Sequence, residues 1–268
     1  MAVLLAHEAE KGTAAMSDPV EKAQIIKLAE GLYVRQAVDN MGWIDMGEYA
    51  IVVDALEQVS LEGEVLDSIE LTLGDKPVRY VINTHTHYDH VALNEAFQRK
   101  FSSEIINART CSLPQDGREF TGNRKVRVFP SPGCHTNEDY CIWCCDDGVL
   151  FVGDIFGWGL IPLTRALNDK SAELLIATYE RLAELDADTV VPGHGTICGT
   201  AELVRWVKYF RWLLKEVALH SQGKSGPVRP EKIALPEDMI GWWRFEQWKH
   251  ADSVRRVIAA VEKGRLTI

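Results

Sequence analysis

The chain has 268 residues, 46% of them hydrophobic, enough to bury a sizeable core within one large domain. Its 39 acidic residues outweigh 29 basic ones, for a net charge of −10, and no block of Lys or Arg occurs, which argues against nucleic acid or another phosphate-rich polymer as a partner. No apolar run approaches the roughly 20 residues of a membrane span, so a soluble, cytoplasmic protein acting on a small molecule is expected, with no membrane partner.

Residues 1–20 read as a loosely ordered extension, and 21–268 as a single domain on which the helices of 200–268 pack. Val3-Leu4-Leu5 has no basic residue before it and meets Glu8 and Glu10 soon after, so it does not read as a signal peptide; Met16-Ser17-Asp18-Pro19 offers a second plausible start. Gly31 to Val38 and Tyr49 to Asp54 are strand-like, and Asn40-Met41-Gly42-Trp43 between them carries the chemistry of a hairpin or short loop. Val65, Leu66, Ile69 and Leu71 recur at helical spacing and predict a helix crossing to Val78-Arg79-Tyr80-Val81-Ile82, a β-branched run that reads as a buried strand.

That strand leads into Asn83-Thr84-His85-Thr86-His87-Tyr88-Asp89-His90, and helical spacing resumes from Val91 to Phe97. Three imidazoles and a carboxylate this close together on a strand-to-helix loop are the donor set of a metal site. His85 and His87 project from the same side of an extended segment, whereas Asp89 and His90 turn the corner, so one loop can serve two adjacent ions.

Downstream, Glu104 to Asn107 is a short strand, Pro114 to Asn123 a polar loop, and Val126 to Phe129 a half-buried strand. A sharp loop, Pro132-Gly133-Cys134-His135-Thr136, then presents one histidine. Tyr140 to Cys145, the turn Asp146-Asp147-Gly148 and Val149 to Val152 form a hairpin that delivers Asp154 at its end. Cys141-x-x-Cys144 falls inside that apolar run, so the six cysteines read as buried thiols suited to a reducing compartment. Ser171 to Leu185 is an amphipathic helix, and Thr189-Val190-Val191 a short strand left by Pro192-Gly193-His194-Gly195. Thr200 to Leu219 is a long helix, Ser221 to Arg229 a linker, and Met239 to Trp248 and Ser253 to Glu262 two further helices. His7, His220 and His250 read as surface or extension residues.

With the H-x-H-x-D-H loop (His85 to His90), the lone loop histidine His135, the strand-end Gly153-Asp154 and Pro192-Gly193-His194-Gly195 in this order, the chain resembles the metallo-β-lactamase superfamily over about residues 25 to 200. The resemblance implies a four-layer αβ/βα sandwich and two metal ions, zinc first and iron or manganese as alternatives. It assigns His85, His87 and His135 to one ion, Asp89, His90 and His194 to the second, and Asp154 to both. It further implies that a water shared by the ions becomes the nucleophile that attacks a carbonyl of a small ester, lactone or thioester, with Asp89 orienting it. Asp54 stands where many relatives carry an Asp, which leaves two readings open: a carboxylate that hydrogen-bonds a ligand histidine, or an ordinary turn carboxylate.

Asp154 departs from the true β-lactamases, which place Cys or Ser there, so β-lactamase activity is expected to be weak at most. Ile155-Phe156-Gly157-Trp158-Gly159 departs from the Cys-Gly-Arg stretch of glyoxalase II relatives, which argues against a glutathione thioester. Met41-Gly42-Trp43, Tyr88, Phe156 to Leu163 and Trp242-Trp243 are the apolar candidates for substrate walls. Two alternatives stay open: a metal- or ligand-binding protein without catalysis, and a mononuclear iron oxygenase of the same fold.

Overall fold

Strand parity sorts the apolar side chains into three hydrophobic layers in the computed structural model, which describes residues 23–157, 159–221, 229–240 and 247–268. The first sheet holds β1 (Gln24–Ala29), β2 (Leu32–Gln36), β3 (Met41–Asp45), β4 (Ala50–Val53), β5 (Val78–Ile82) and β6 (Glu104–Ile106), side by side in chain order. β1 to β4 form an antiparallel meander, and β4, β5 and β6 run parallel. Parallel neighbours need crossovers, and two helices supply them: α1 (Glu62–Leu73) before β5 and α2 (Asn94–Phe101) after it. The second sheet holds β7 (Arg118–Thr121), β8 (Lys125–Pro130), β9 (Tyr140–Cys144), β10 (Val149–Gly153) and β11 (Thr189–Pro192), in the order β11-β10-β9-β8-β7. β11 lies parallel to β10 after the crossover α3 (Asp169–Ala183).

Successive strand residues point to opposite faces, and here each face has a cover. In β4, Ile51 and Val53 join Ile82, Val128, Ile142 and Phe151 between the sheets, while Ala50 and Val52 face outward onto Val65, Ile69 and Phe97 of α1 and α2. In β10, Val149 and Phe151 face the first sheet, while Leu150 and Val152 face α3, α4 (Thr200–Ser221) and α5 (Gln247–Glu262). The sequence of layers is therefore helix, sheet, sheet, helix. Each fully buried aliphatic or aromatic side chain stabilises this arrangement by about 1.5–3 kcal/mol relative to exposure. On the outer face of the second sheet the anchor is Trp206, buried and stacked between Tyr179 of α3 (3.8 Å) and Phe210 (5.0 Å).

Four local readings change, one of them at α5, which runs unbroken from Gln247 to Glu262 across the gap expected between Trp248 and Ser253. Asn40 to Trp43 is not a loop: the turn ends at Asn40 and β3 starts at Met41, because Met41 and Trp43 alternate with Ile44 as a strand buried on both faces. Pro114 to Asn123 contains β7, an edge strand in which only Phe120 is buried, too little apolar alternation to read as a strand. His250 is not a surface residue. It is buried under α4, with Nδ1 2.8 Å from the Tyr209 hydroxyl and Nε2 donating to the carbonyl of Ile233. The expectations for residues 1–20, Trp158, Trp242-Trp243 and most of the Ser221–Arg229 linker fall outside the described residues.

Candidate metal centre

Both sheets end at one edge, and the loops leaving their parallel strands meet there. β5 delivers His85 and His87 and a single 3-10 turn, Tyr88–His90; β10 delivers Asp154; β11 delivers His194; the loop between β8 and β9 delivers His135. Two backbone bonds across the seam set the height of these loops: Tyr140 N–H donates to the Thr84 carbonyl (2.6 Å) and Asn40 N–H to the Gly193 carbonyl (2.8 Å).

The seven side chains singled out from the sequence come together in two groups. His85, His87, His135 and Asp154 can each present a donor atom within 4.8 Å of the others, as can Asp89, His90, His194 and Asp154. Asp154 belongs to both and divides its oxygens between them: Oδ2 lies 3.5 Å from His135 Nε2, and Oδ1 lies 3.3 Å from His90 Nε2 and 3.1 Å from His194 Nε2. Gly193 makes room for this carboxylate, since a Cβ there would stand 2.1 Å from Asp154 Oδ1.

For four of the five imidazoles the bond made by the outward nitrogen fixes which nitrogen points in. His135 Nδ1–H donates to the carbonyl of Pro162 (2.7 Å), and His194 Nδ1 to the carbonyl of Val38 and to Asp39 Oδ1, both at 3.0 Å. Asp54 accepts from His90 Nδ1 (2.9 Å), from Thr84 N–H (2.7 Å) and from the Thr84 hydroxyl. That hydroxyl in turn accepts from His85 Nδ1 (3.2 Å), so one buried carboxylate orients two histidines of the loop, the first of the two readings open for Asp54. Asp54 itself adopts a left-handed backbone (φ 61°), the kind of local strain tolerated where a side chain must be aimed. Asp139 folds the loop carrying His135 by accepting from the backbone N–H of His135 and of Thr136.

The arrangement fits metal ions on three counts. His85 Nε2 and His135 Nε2 each stand 3.0 Å from His87 Nδ1, and with the protons of His85 and His135 directed outward three nitrogens converge that cannot all be satisfied by one another. Asp89 Oδ1, His90 Nε2 and Asp154 Oδ1 are buried without a hydrogen-bond partner, which is costly unless a cation takes that place. Nitrogen and carboxylate oxygen are also the donors that borderline divalent ions accept.

Electrostatics divides the groups. Burial pushes His85 down to about 2 and lowers His135, so both stay neutral. Burial also opposes charge on His90, but Asp54 and Asp154 outweigh it and hold that imidazole up at about 10. His194 is raised well above its usual range against the same desolvation, chiefly by Asp154. Asp154, though buried, is held well below the usual carboxylate range by His194 and His90. The carboxylates demand positive charge, which protons on His90 and His194 supply and a dication would supply in their place.

A sequence profile of the metallo-beta-lactamase superfamily matches residues 37–109 and 113–194, more than half of the chain and every one of these side chains. The chain belongs to that superfamily. It is 33% identical over 138 residues to a hydroxyacylglutathione hydrolase of Methylococcus capsulatus, an alignment covering 48% of this chain and 50% of that protein. This superfamily member thus spans about half the length of the curated relatives it matches. Its fold is similar to those of a sec-alkylsulfatase from Pseudomonas sp. (TM-score 0.69, 15% identity, 88% of this chain and 50% of that one) and of a metallo-beta-lactamase family protein from Thermus thermophilus (0.59, 19%, 89% and 95%). Identities this low establish the fold alone.

Sequence reasoning missed Asp39, Asn40, Thr84 and Asp139, none of which coordinates by its position yet each of which holds a group that can. Asn40 Nδ2 donates to the carbonyls of Pro192 and Gly195, clasping the His194 loop across 152 and 155 residues of chain, a pairing with no local signal. For Asp139 the Thr136-x-x-Asp139 spacing, a side-chain turn, was such a signal. The wall residues Met41, Trp43, Phe156, Leu160, Ile161 and Leu163 are core, each no more than 4% exposed; of the described candidates Tyr88, 68% exposed, faces solvent beside the site.

Proposed function

We propose that this chain is a dinuclear metal-dependent hydrolase that cleaves a carbonyl ester, lactone or thioester. The observation that carries the reading is the division of Asp154 between two complete donor groups, Oδ2 toward one and Oδ1 toward the other. His85, His87 and His135 would hold one ion, Asp89, His90 and His194 the other, with Asp154 shared. Bound there, two dications supply Lewis acidity and a water acidified to near-neutral pKa. The protein's own part is orientation. Asp54 and Thr84 keep His85 and His90 in one tautomer, the carbonyls of Pro162 and Val38 do so for His135 and His194, and these four imidazoles are buried. Asp89 carries the catalytic role in this reading: with Oδ1 given to the ion, its other oxygen, Oδ2, 3.4 Å from His194 Nε2, would accept a hydrogen bond from the attacking water and orient it.

Zinc is the first ion to test, since imidazoles predominate among the donors. The departure at Ile155 to Gly159 argues against a glutathione thioester, but relatives named hydroxyacylglutathione hydrolase argue for thioesters as a class, and thioesters therefore head the panel. None of the six cysteines is in a disulfide, and burial pushes the Cys141 thiol up to about 12, which supports inert thiols in a reducing compartment such as the cytoplasm. Metal analysis of protein purified without chelator should approach two equivalents, and thioester, lactone, aryl ester and β-lactam substrates should be turned over in that order of preference, the last weakly. One equivalent with the Asp89 group empty would end the dinuclear reading, and fully metallated protein inert toward the whole panel would leave a metal-binding protein without catalysis.

A further inference from the structure

A cavity of about 310 Å³ opens against His87, with neither Asp89 nor His194 among its walls. Its walls are polar and come from four loops, which carry Thr86 and His87, Arg109, Asn137 and Glu138, and Arg165. The charges do not cancel. Glu138 is fully engaged, accepting from the Thr86 hydroxyl and from Arg109 Nε at 3.0 and 3.1 Å, so it neutralises Arg109 and leaves that guanidinium's Nη groups without a partner among the described residues. Arg165 meets only neutral acceptors: Nη1 donates to Asn137 Oδ1 (2.6 Å) and Nη2 to the Gly133 carbonyl (2.8 Å). One full positive charge is thus uncompensated in a protein whose net charge is −10.

That charge is held in place. Gly133, at φ +93°, lets the Arg165 head lie against the backbone of the loop carrying His135, where a Cβ would come within 2.9 Å of Nη2. A guanidinium fixed by neutral partners loses little rotamer freedom when an anion arrives, and its remaining donors match a carboxylate's two oxygens. Across the site the exposed apolar groups are Tyr88, beside Asp89, and Val38, 52% exposed, whose carbonyl orients His194. The two sides of the mouth therefore differ in kind.

We propose that this cavity binds a carboxylate on the substrate, so that the ester or thioester cleaved here is a monoanion whose charged end lies against Arg165 and Arg109 and whose apolar end lies toward Val38 and Tyr88. The proposal rests on the hydrolase reading for its reaction but not for its binding site. A single uncompensated charge selects a monoanion over the dianion of a phosphate ester, and Asn137, whose Oδ1 accepts from Arg165, keeps its Nδ2–H groups to donate to the carboxylate.

The test pairs 4-carboxyphenyl butyrate with its neutral near-isostere 4-carbamoylphenyl butyrate, using protein supplied with two equivalents of zinc. Wild type is expected to favour the carboxylate by about tenfold in kcat/KM, mostly in KM, the scale of one charge-assisted hydrogen bond at a partly exposed site. Arg165→Met should bring the two esters to within about twofold of each other, and Arg165→Glu should reverse the order and favour 4-(aminomethyl)phenyl butyrate, a reversal that mere loosening of the loop does not produce. Equal handling of the first two esters by wild type, or a preference that survives in Arg165→Met with unchanged metal content, overturns the proposal. If neither ester is hydrolysed, the hydrolase reading fails and calorimetry decides the cavity alone: 4-hydroxybenzoate should bind wild type about tenfold tighter than Arg165→Met does, with 4-hydroxybenzamide indifferent, and equal affinities for 4-hydroxybenzoate overturn it.

Discussion

The two halves of the metal centre share Asp154 but are held by opposite means. In the half made by His85, His87 and His135, the outward nitrogens of His85 and His135 rest on neutral oxygens, a threonine hydroxyl and a carbonyl, and burial keeps the rings uncharged. In the half made by Asp89, His90 and His194, both imidazoles are backed by carboxylates, Asp54 and Asp39, and both are pulled toward the protonated form. In the first half His85 and His135 would lose no proton to receive a cation, whereas in the second His90 and His194 hold protons that compete with it, so occupancy of the second half should depend the more steeply on pH.

The largest test removes what the halves share. Asp154→Ser takes away the carboxylate facing both groups and is expected to cost about one equivalent of metal and 100-fold or more in turnover, whereas Asp154→Asn, which keeps one oxygen, should retain more metal while still slowing catalysis. Two equivalents and near-normal rates in both variants would reduce Asp154 to a turn residue worth ~1 kcal/mol. Gly193→Ala attacks the same carboxylate sterically, and because its Cβ would lie 2.1 Å from Asp154 Oδ1, a loss of about 2 kcal/mol in stability is expected together with weaker metal binding. An unchanged melting temperature would mean that the two loops can part freely.

Smaller changes separate the halves. Asp39→Asn should weaken only the second metal, by about 10–100-fold, because it touches His194 alone, whereas Asp54→Asn should weaken both, through His90 directly and through Thr84 for His85. Competition titration with a chromogenic chelator reads the two affinities. Protein stripped by chelator should show a pH signature of the second half. His90 is raised in the folded state to about 10 from 6.5, so its contribution to stability is complete below pH 6.5 and is lost as pH rises toward 10. The melting temperature should fall across that window without metal and stay level with it; parallel profiles would contradict the proton-for-metal exchange. The smallest effect is a control away from both halves. Trp43→Phe loses the bond from Nε1 to Thr72 and should cost about 1 kcal/mol with kcat/KM unchanged, as befits a core residue and not a substrate wall.

The donors were legible in the sequence because metal chemistry restricts residue types and because each donor follows a short apolar strand with a Gly or Pro turn. The sheets were legible for a similar reason: Ile51, Val52 and Val53 announce burial on both faces whatever they pack against. What stayed hidden depends on long-range partners. Asn40 looked like turn chemistry because the carbonyls it serves are supplied by Pro192 and Gly195, and His250 looked like a surface residue because Tyr209 and Ile233, which bury it, are contributed by other segments. Arg109 and Arg165 carry no motif at all; only the fold places them beside His87.

Each sheet is contiguous in the chain, β1 to β6 before residue 107 and β7 to β11 after residue 117, and the seam between them divides the donors. The first segment carries His85, His87, Asp89 and His90, and the second carries His135, Asp154 and His194, so neither can complete either group by itself. A ribosome releasing this chain therefore exposes a four-donor loop well before the remaining three exist. On the proposed dinuclear reading, capture of both ions would wait until β11 has emerged and docked, a late, long-range event of folding whose appearance would clock the meeting of the two sheets.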